Sequence, residues 1–475
     1  MKKLNVLLLT GLLTILSASH VQAQSKDLPW TNGKLKVSDN KRFLQHENGT
    51  PFFWLGETSW LLPSRSNREQ VGYFMNSIKK NGFNVLQISV LHGIPAMNAY
   101  GDWALPNGFD FKNIDKPGEY NYWQHVDYIV ETAERQGIYI GIVCVWGGAV
   151  KSKTFGIEEA KKYGKFLAER YKKYPNIVWL IGGDARGDVE MDVWKTLANT
   201  IRTIDPDHLM TYHPFGRTLS ATWFNNEPWL DFNMYQSGHR RYGQRKGDGD
   251  ESVTNQEEDS WRYAEESLAM TPLKPVVDGE PSYEGIPQGL HDTTQPLWKD
   301  NDVRRYAYWS VFAGAFGHTY GNSSTMQMYQ PSYSPAYGAT EPWWESLHNP
   351  GAQQMQYLKK LILAFPFFDR VPDQSVISSD NGERYDRAIA TRGKDYILIY
   401  NYSNKTIEVE MTKISGAKKK AWWFSPVDGK VEYIGEFNNG KNSFYHDSGH
   451  RAGNDKVLIV TDTNTSYVSD NLLNK

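Results

Sequence analysis

Ile177-Val-Trp-Leu-Ile-Gly-Gly-Asp184 and Pro275-Val-Val-Asp-Gly-Glu280-Pro281 are each a short apolar run ending in glycine and a carboxylate. Unbroken apolar runs of this length read as strands buried on both faces, as in a parallel sheet covered by helices. In a parallel α/β barrel the functional groups all come from the C-terminal ends of the strands, so Asp184 and Glu280 are expected on one face. Ninety-six positions separate them. A βα unit takes roughly 30 residues, so about three units fit between, the count from strand 4 to strand 7 of an eightfold barrel. Two carboxylates there can share acid/base and nucleophilic work on a glycosidic bond.

The rest of the chain alternates in the same way. Phe52 to Leu55, Asn84 to Val90, Ile138 to Val145, Ile177 to Ile181, Leu209 to Tyr212, Leu230 to Tyr235, Pro275 to Glu280 and Tyr308 to His318 read as eight strands. Arg68 to Lys80, Trp123 to Gln136, Ile157 to Lys173, Val189 to Ile204, Ser260 to Met270 and Asp302 to Ala313 have the 3.6-residue period of helices. Gly82, Gly137 and Pro175 follow three of them, where helices stop. The pattern predicts a (β/α)8 TIM barrel over residues 24–368. Arg240 to Asp259, rich in Gly, Asp, Glu and Arg, reads as a long exposed loop on its top face. After Phe365-Pro-Phe-Phe368 the period changes to 2, in Ala388 to Thr391, Tyr396 to Asn401, Ile407 to Met411, Lys420 to Phe424 and Val457 to Val460. Turn signals at Asn381-Gly382 and Asn439-Gly440 complete a small antiparallel β-sandwich over residues 369–475. It carries no cluster of acids, and apolar Phe365, Phe367 and Phe368 at the junction point to a domain that supports the barrel.

Lys2 and Lys3, the apolar run Leu4 to Leu16 and Val21-Gln22-Ala23 form the three parts of a signal peptide over residues 1–23. The protein is therefore expected to be exported, to the periplasm or beyond. A run of thirteen residues is short for a membrane span, and no cysteine lies near the cleavage point to carry a lipid, so no membrane anchor is expected. The lone Cys144 falls in a predicted strand. Cleavage takes away two lysines and no acid, moving the formal charge from −2 to −4, which argues against a nucleic-acid partner. No His-Glu-x-x-His occurs, and His208 and His213 fall at opposite ends of one strand, so neither metal nor other cofactor is expected. The sequence sets no oligomeric state. Seventeen tryptophans and an aromatic content of 14% suit a poly- or oligosaccharide substrate, whose rings present flat CH faces, although most such side chains belong to cores.

Phe52-Phe-Trp-Leu-Gly-Glu-Thr-Ser-Trp60, Trp179-Leu-Ile-Gly-Gly-Asp184, Asp278-Gly-Glu-Pro281 and Gly317-His-Thr-Tyr-Gly321 resemble the apiosidase-like glycoside hydrolases, glycoside hydrolase family 140. The resemblance spans nearly the whole mature chain, with a collagen-binding-like domain at its C-terminus. It implies hydrolysis of an apiosyl linkage in the pectic polysaccharide rhamnogalacturonan II, with Asp184 as acid/base and Glu280 as nucleophile. The broader group of retaining barrel glycosidases has Asn-Glu after strand 4, where this chain has Gly183-Asp184.

The residues themselves support that division of labour. Glu280 sits between Gly279 and Pro281 with no helix to cap, and Asp188 is the better cap for a helix beginning near Val189. That leaves Asp184 for proton donation, its pKa raised by apolar walls and by the charge of Glu280. Asp278 points the same way as Glu280 one layer deeper and is assigned to supporting it. Glu57, Trp60, His92, Trp146, His213, Tyr235, Gln236, His318 and Tyr320 fall at strand ends and are candidates to ring the substrate pocket. Arg240, with Arg241 and Arg217, could meet carboxylates of galacturonate. Two other readings stay open: a glycosidase acting on another glycan such as an arabinofuranoside, and a non-catalytic carbohydrate-binding or adhesion protein.

Overall fold

The computed structural model describes residues 28–244 and 256–473. The expected signal peptide and the centre of the 240–259 segment lie outside them. Eight parallel strands form the barrel: β1 (Trp54–Thr58), β2 (Val85–Ser89), β3 (Tyr139–Val143), β4 (Ile177–Ala185), β5 (Met210–Pro214), β6 (Asn233–Gln236), β7 (Val276–Asp278) and β8 (Gly317–Tyr320). Parallel ladders run from β6 through β7, β8, β1, β2, β3 and β4 to β5. The seam between β5 and β6 is closed by single bonds, Asp231 N–H to Met210 C=O at 2.9 Å and Thr211 Oγ1 to Phe232 C=O at 2.6 Å. Thr218–Leu219 adds a short antiparallel strand along β6.

The helical cover comprises α1 (Arg68–Lys80), α2 (Tyr122–Gln136), α3 (Ile157–Tyr171), α4 (Met191–Ile204), α5 (Asp259–Leu268), α6 (Asp300–Phe312) and α7 (Pro350–Leu363). Asn67 and Asn121 cap α1 and α2 in reciprocal boxes with Gln70 and Gln124, and Gly137 ends α2 in the left-handed conformation. Three sequence expectations are corrected. Tyr308 to Phe312 completes α6, and the eighth strand begins only at Gly317, because Gly314 at φ +112 breaks the chain between them. The helix α7, buried through Met355, Leu358, Leu361 and Ile362, was not among the expected elements. Finally, the described ends of the 240–259 segment are anchored by buried side chains, Tyr242, Glu257 and Asp259.

The C-terminal domain has a six-stranded antiparallel sheet. Val371–Pro372 is followed in order across it by β9 (Ala388–Arg392), β10 (Tyr396–Asn401), β15 (Lys456–Asp462), β12 (Lys418–Phe424) and β13 (Val431–Asn438). The pair β11 (Ile407–Glu410) and β14 (Lys441–Phe444) forms the second layer. Strand alternation divides β10 cleanly: Ile397 and Ile399 face the small sheet, while Tyr396, Leu398 and Tyr400 join the core of the barrel. Tyr400 stacks on Tyr308 of α6 at 4.7 Å, and Phe365 packs on Tyr396 at 4.8 Å. Across the same junction Arg304 of α6 meets Asp455 at 2.7 and 2.9 Å, and both side chains are buried.

Removing one partner of a buried ion pair leaves an uncompensated charge. Asp455→Ala should therefore lower stability by about 3 kcal/mol, the lower end of the range for such pairs because Arg304 keeps Asp300. Urea denaturation of the full chain measures this, and a loss under about 1 kcal/mol would show that the charge is relieved by solvent.

Candidate active site

Asp184 and Glu280 open into one cleft of about 590 Å³ at the C-terminal ends of the strands. The structure brings Trp60, His92, Trp146, Gln236 and Arg240 to its wall, together with Arg65, Arg217, Met326 and Tyr337. The aromatic side is continuous: Trp60 packs on Trp146 at 5.3 Å, His92 on Trp146 at 4.5 Å, and Trp60 stands edge-on to His213 at 5.1 Å.

A local break in β4 delivers Asp184. The ladder to β5 pairs Gly182 with His213 and then Ala185 with Pro214, leaving Gly183 and Asp184 without ladder partners. Gly182, Gly183 and Asp184 take φ of +91°, +130° and +53°. A Cβ on Gly183 would lie 2.9 Å from both Val143 Cγ1 and the Val145 carbonyl, so this bulge needs glycine there. Aspartate is among the few residues that tolerate the left-handed region next to it. Asp188 does not cap α4. The helix begins at Met191, and Asp188 accepts two bonds from Arg186, at 3.0 and 2.6 Å.

Glu280 follows β7 and is stitched to the segment after β6. Gly279 N–H donates to Tyr235 C=O at 2.8 Å and Gly238 N–H to Glu280 C=O at 3.1 Å. A Cβ on Gly238 would sit 2.3 Å from the Pro281 carbonyl, so the close approach depends on that glycine too. This stitching sets His239 Nε2 3.0 Å from Glu280 Oε1. His213 Nε2 lies 3.3 Å from Glu280 Oε2, angled away from a well-formed hydrogen bond, while its Nδ1 faces Asp184 N–H at 3.5 Å. The two carboxyl groups consequently titrate apart. Burial first, and the neighbouring Glu280 second, push Asp184 up to about 6. Burial alone would also raise Glu280, but His213 and His239 hold it down to about 2.

Asp278 is buried beneath this pair. It accepts the Ser237 hydroxyl, and burial raises its pKa far above the usual range. It ties the β6 segment to Glu280. Other strand-end candidates lie away from the cleft, because alternation turns them outward. Tyr235 donates to Ser260 C=O on α5 at 2.7 Å, His318 Nδ1 pairs with Ser310 on α6 at 2.9 Å, and Tyr320 donates to Glu284 at 2.6 Å. Glu57 accepts from Thr325 Oγ1 at 3.0 Å in a fully buried place that raises its pKa. His213 lies behind the wall, between the two acids, and Arg241 turns to Gln295 at 2.8 Å. His239, which the sequence reading missed, stands one residue before Arg240, and its only signal was that proximity to a strand end. No group of three metal-ligating side chains occurs among the described residues.

A family model described as "Apiosidase-like, catalytic domain" matches residues 38–369, and one described as "Putative collagen-binding domain of a collagenase" matches residues 371–461. The chain is 61% identical to a solved structure described as a glycoside hydrolase, over 93% of this chain and all of that one, with a TM-score of 0.92. It is 59% identical to a crystal structure from Bacteroides vulgatus described as a glycoside hydrolase family 5 protein, over 93% of this chain and 96% of that one, again at 0.92. No curated protein matches.

The bulge carries a test. Gly183→Ala should cost about 1 to 3 kcal/mol in thermal or urea denaturation, because alanine is strained at φ +130° and meets Val143 and Val145. Wild-type stability in that variant would mean that the bulge has an easy alternative conformation.

Proposed function

Because the chain belongs to the apiosidase-like glycoside hydrolases and acts as an O-glycosyl hydrolase, we propose that it cleaves an apiosyl linkage to galacturonate in rhamnogalacturonan II, with retention of configuration. The observation that carries the mechanism is the opposite titration of two carboxyl groups in one cleft, Asp184 up and Glu280 down. Glu280 enters as a carboxylate and attacks the anomeric carbon, while Asp184 gives its proton to the departing oxygen. The glycosyl ester on Glu280 is then hydrolysed by water, whose proton goes to the Asp184 carboxylate as Glu280 leaves. His213 and His239 stabilise the negative charge of Glu280 before attack and after release.

The charge of the wall supports an acidic aglycone. Arg65, Arg217 and Arg240 reach the cleft, where one of the two carboxyl groups is protonated below about pH 6. Guanidinium groups pair with carboxylates in fork geometry, as galacturonate would require. Trp60 and Trp146 offer the apolar faces that a sugar ring covers. The charged start, apolar run and Ala23 cleavage site support export to the periplasm or the outside of the cell, where pectic fragments would be met.

The test is incubation with rhamnogalacturonan II and separately with aryl glycosides, including arabinofuranosides. Release of apiose is the expected outcome, and release of arabinose alone would overturn the apiosyl assignment. Asp184→Asn and Glu280→Gln should each lower turnover of the natural glycan by at least about 1,000-fold with the fold intact by circular dichroism. The kcat/KM profile should fall as pH rises through about 6, where Asp184 loses its proton, and hold on the acid side well below the usual carboxylate range. A falling limb unchanged in Asp184→Asn with an activated aryl glycoside would assign that titration elsewhere.

A further inference from the structure

The segment that carries His239 and Arg240 into the cleft is gripped at its far end by the C-terminal domain. Tyr242 N–H donates to Glu257 Oε1 at 3.0 Å, and the Tyr385 hydroxyl, from the C-terminal domain, donates to the same oxygen at 2.8 Å. The other Glu257 oxygen takes the guanidinium of Arg305 on α6, which also reaches Asp302 at 2.9 Å. Arg305 lies between the rings of Tyr385 and Tyr402, 4.7 Å from each centroid, and Arg305 and Glu257 are fully buried. The Tyr242 ring meets Tyr385 edge-on at 5.3 Å, and Arg384 covers it at 5.2 Å.

The near end of the segment is fixed by Gly238 on Glu280 C=O. Between the two anchors lie His239 on the Glu280 carboxylate and Arg240 on the cleft wall, its carbonyl accepting from Tyr306 of α6 at 3.4 Å. Only Arg240 and Arg241 separate His239 from Tyr242, so a shift at Tyr242 is transmitted along a short, doubly tethered backbone. Displacements of about 1 Å at a reacting group are enough to slow a reaction severely. We propose that the C-terminal domain takes part in the reaction through Tyr385, a positioning residue that holds His239 on Glu280 by way of Glu257 and Tyr242.

The proposal rests on Glu280 being the reacting carboxylate, and its test separates the two. Tyr385→Phe in the full chain removes the hydroxyl and keeps the ring that covers Arg305. Tyr396→Phe is the matched control: it removes a phenol bond at the same domain junction, to Pro366 C=O at 3.0 Å, far from the segment. Imidazole resonances of His239, assigned by their loss in His239→Gln, should shift in Tyr385→Phe and stay in place in Tyr396→Phe. On rhamnogalacturonan II or a hydrolysed aryl glycoside, Tyr385→Phe should lower kcat about tenfold with KM changed less than about twofold. The control should keep both constants, whatever it loses in melting temperature. Resonances in Tyr385→Phe that match the control overturn the positioning role without touching the assignment of Glu280. Shifted resonances with unchanged kcat overturn its bearing on the reaction.

Discussion

A carboxylate kept ionised in a buried cleft is the constraint on which the site depends. Removing such a charge from water costs several kcal/mol unless donors replace the solvent. Around Glu280 the replacement comes from His239 beyond β6, 3.0 Å from Oε1, with the imidazole of His213 at the end of β5 set 3.3 Å from Oε2. Satisfying that one charge therefore fixes the relative placement of three strands. It also sets the neighbour: with Glu280 negative, a second buried carboxyl group is driven to keep its proton, and Asp184 does so. The protonated carboxyl group and the ionised one are thus consequences of one electrostatic arrangement.

The barrel was legible because it is written in local periods. Apolar runs and 3.6-residue repeats gave seven of the eight strands and six helices in nearly their observed places, and the spacing of Asp184 and Glu280 gave their common face. What failed were questions of direction and of distant contact. Tyr235, His318 and Tyr320 stand at strand ends as expected, but a one-residue change of parity decides whether such a side chain enters the cleft or meets a helix. The bulge at Gly183 was not visible as a bulge, since Gly-Gly-Asp also reads as an ordinary turn. The burial of Glu257 depends on Arg305 and Tyr385, 48 and 128 positions away, and no local pattern carries that.

The two domains share one core. The sheet of the C-terminal domain is apolar on both faces, and only one is covered by its own second layer. The other is completed by Tyr308, Phe312 and Phe365 of the barrel, so separation would expose aromatic surface on both sides. Buried Arg304 and Arg370 bond across the same junction, to Asp455 and to the carbonyl of Ala315, and Arg305, paired with Glu257, lies between the rings of Tyr385 and Tyr402. Paired charges of this kind add direction to an apolar contact: they fix which face meets which.

The local backbone explains why an aspartate can stand at the end of β4. Aspartate is one methylene shorter than glutamate, so the backbone must travel further to bring its carboxyl group into the cleft. The chain does this by leaving the ladder after Gly182, with Gly182 and Gly183 packed against Tyr212, Val143 and Val145, contacts that no larger residue would permit. Glu280, on an unbroken stitch to β6, needs no such detour. Reach lost in the side chain is recovered in the main chain, and the strain of three consecutive positive φ values stays in the element that presents the acid.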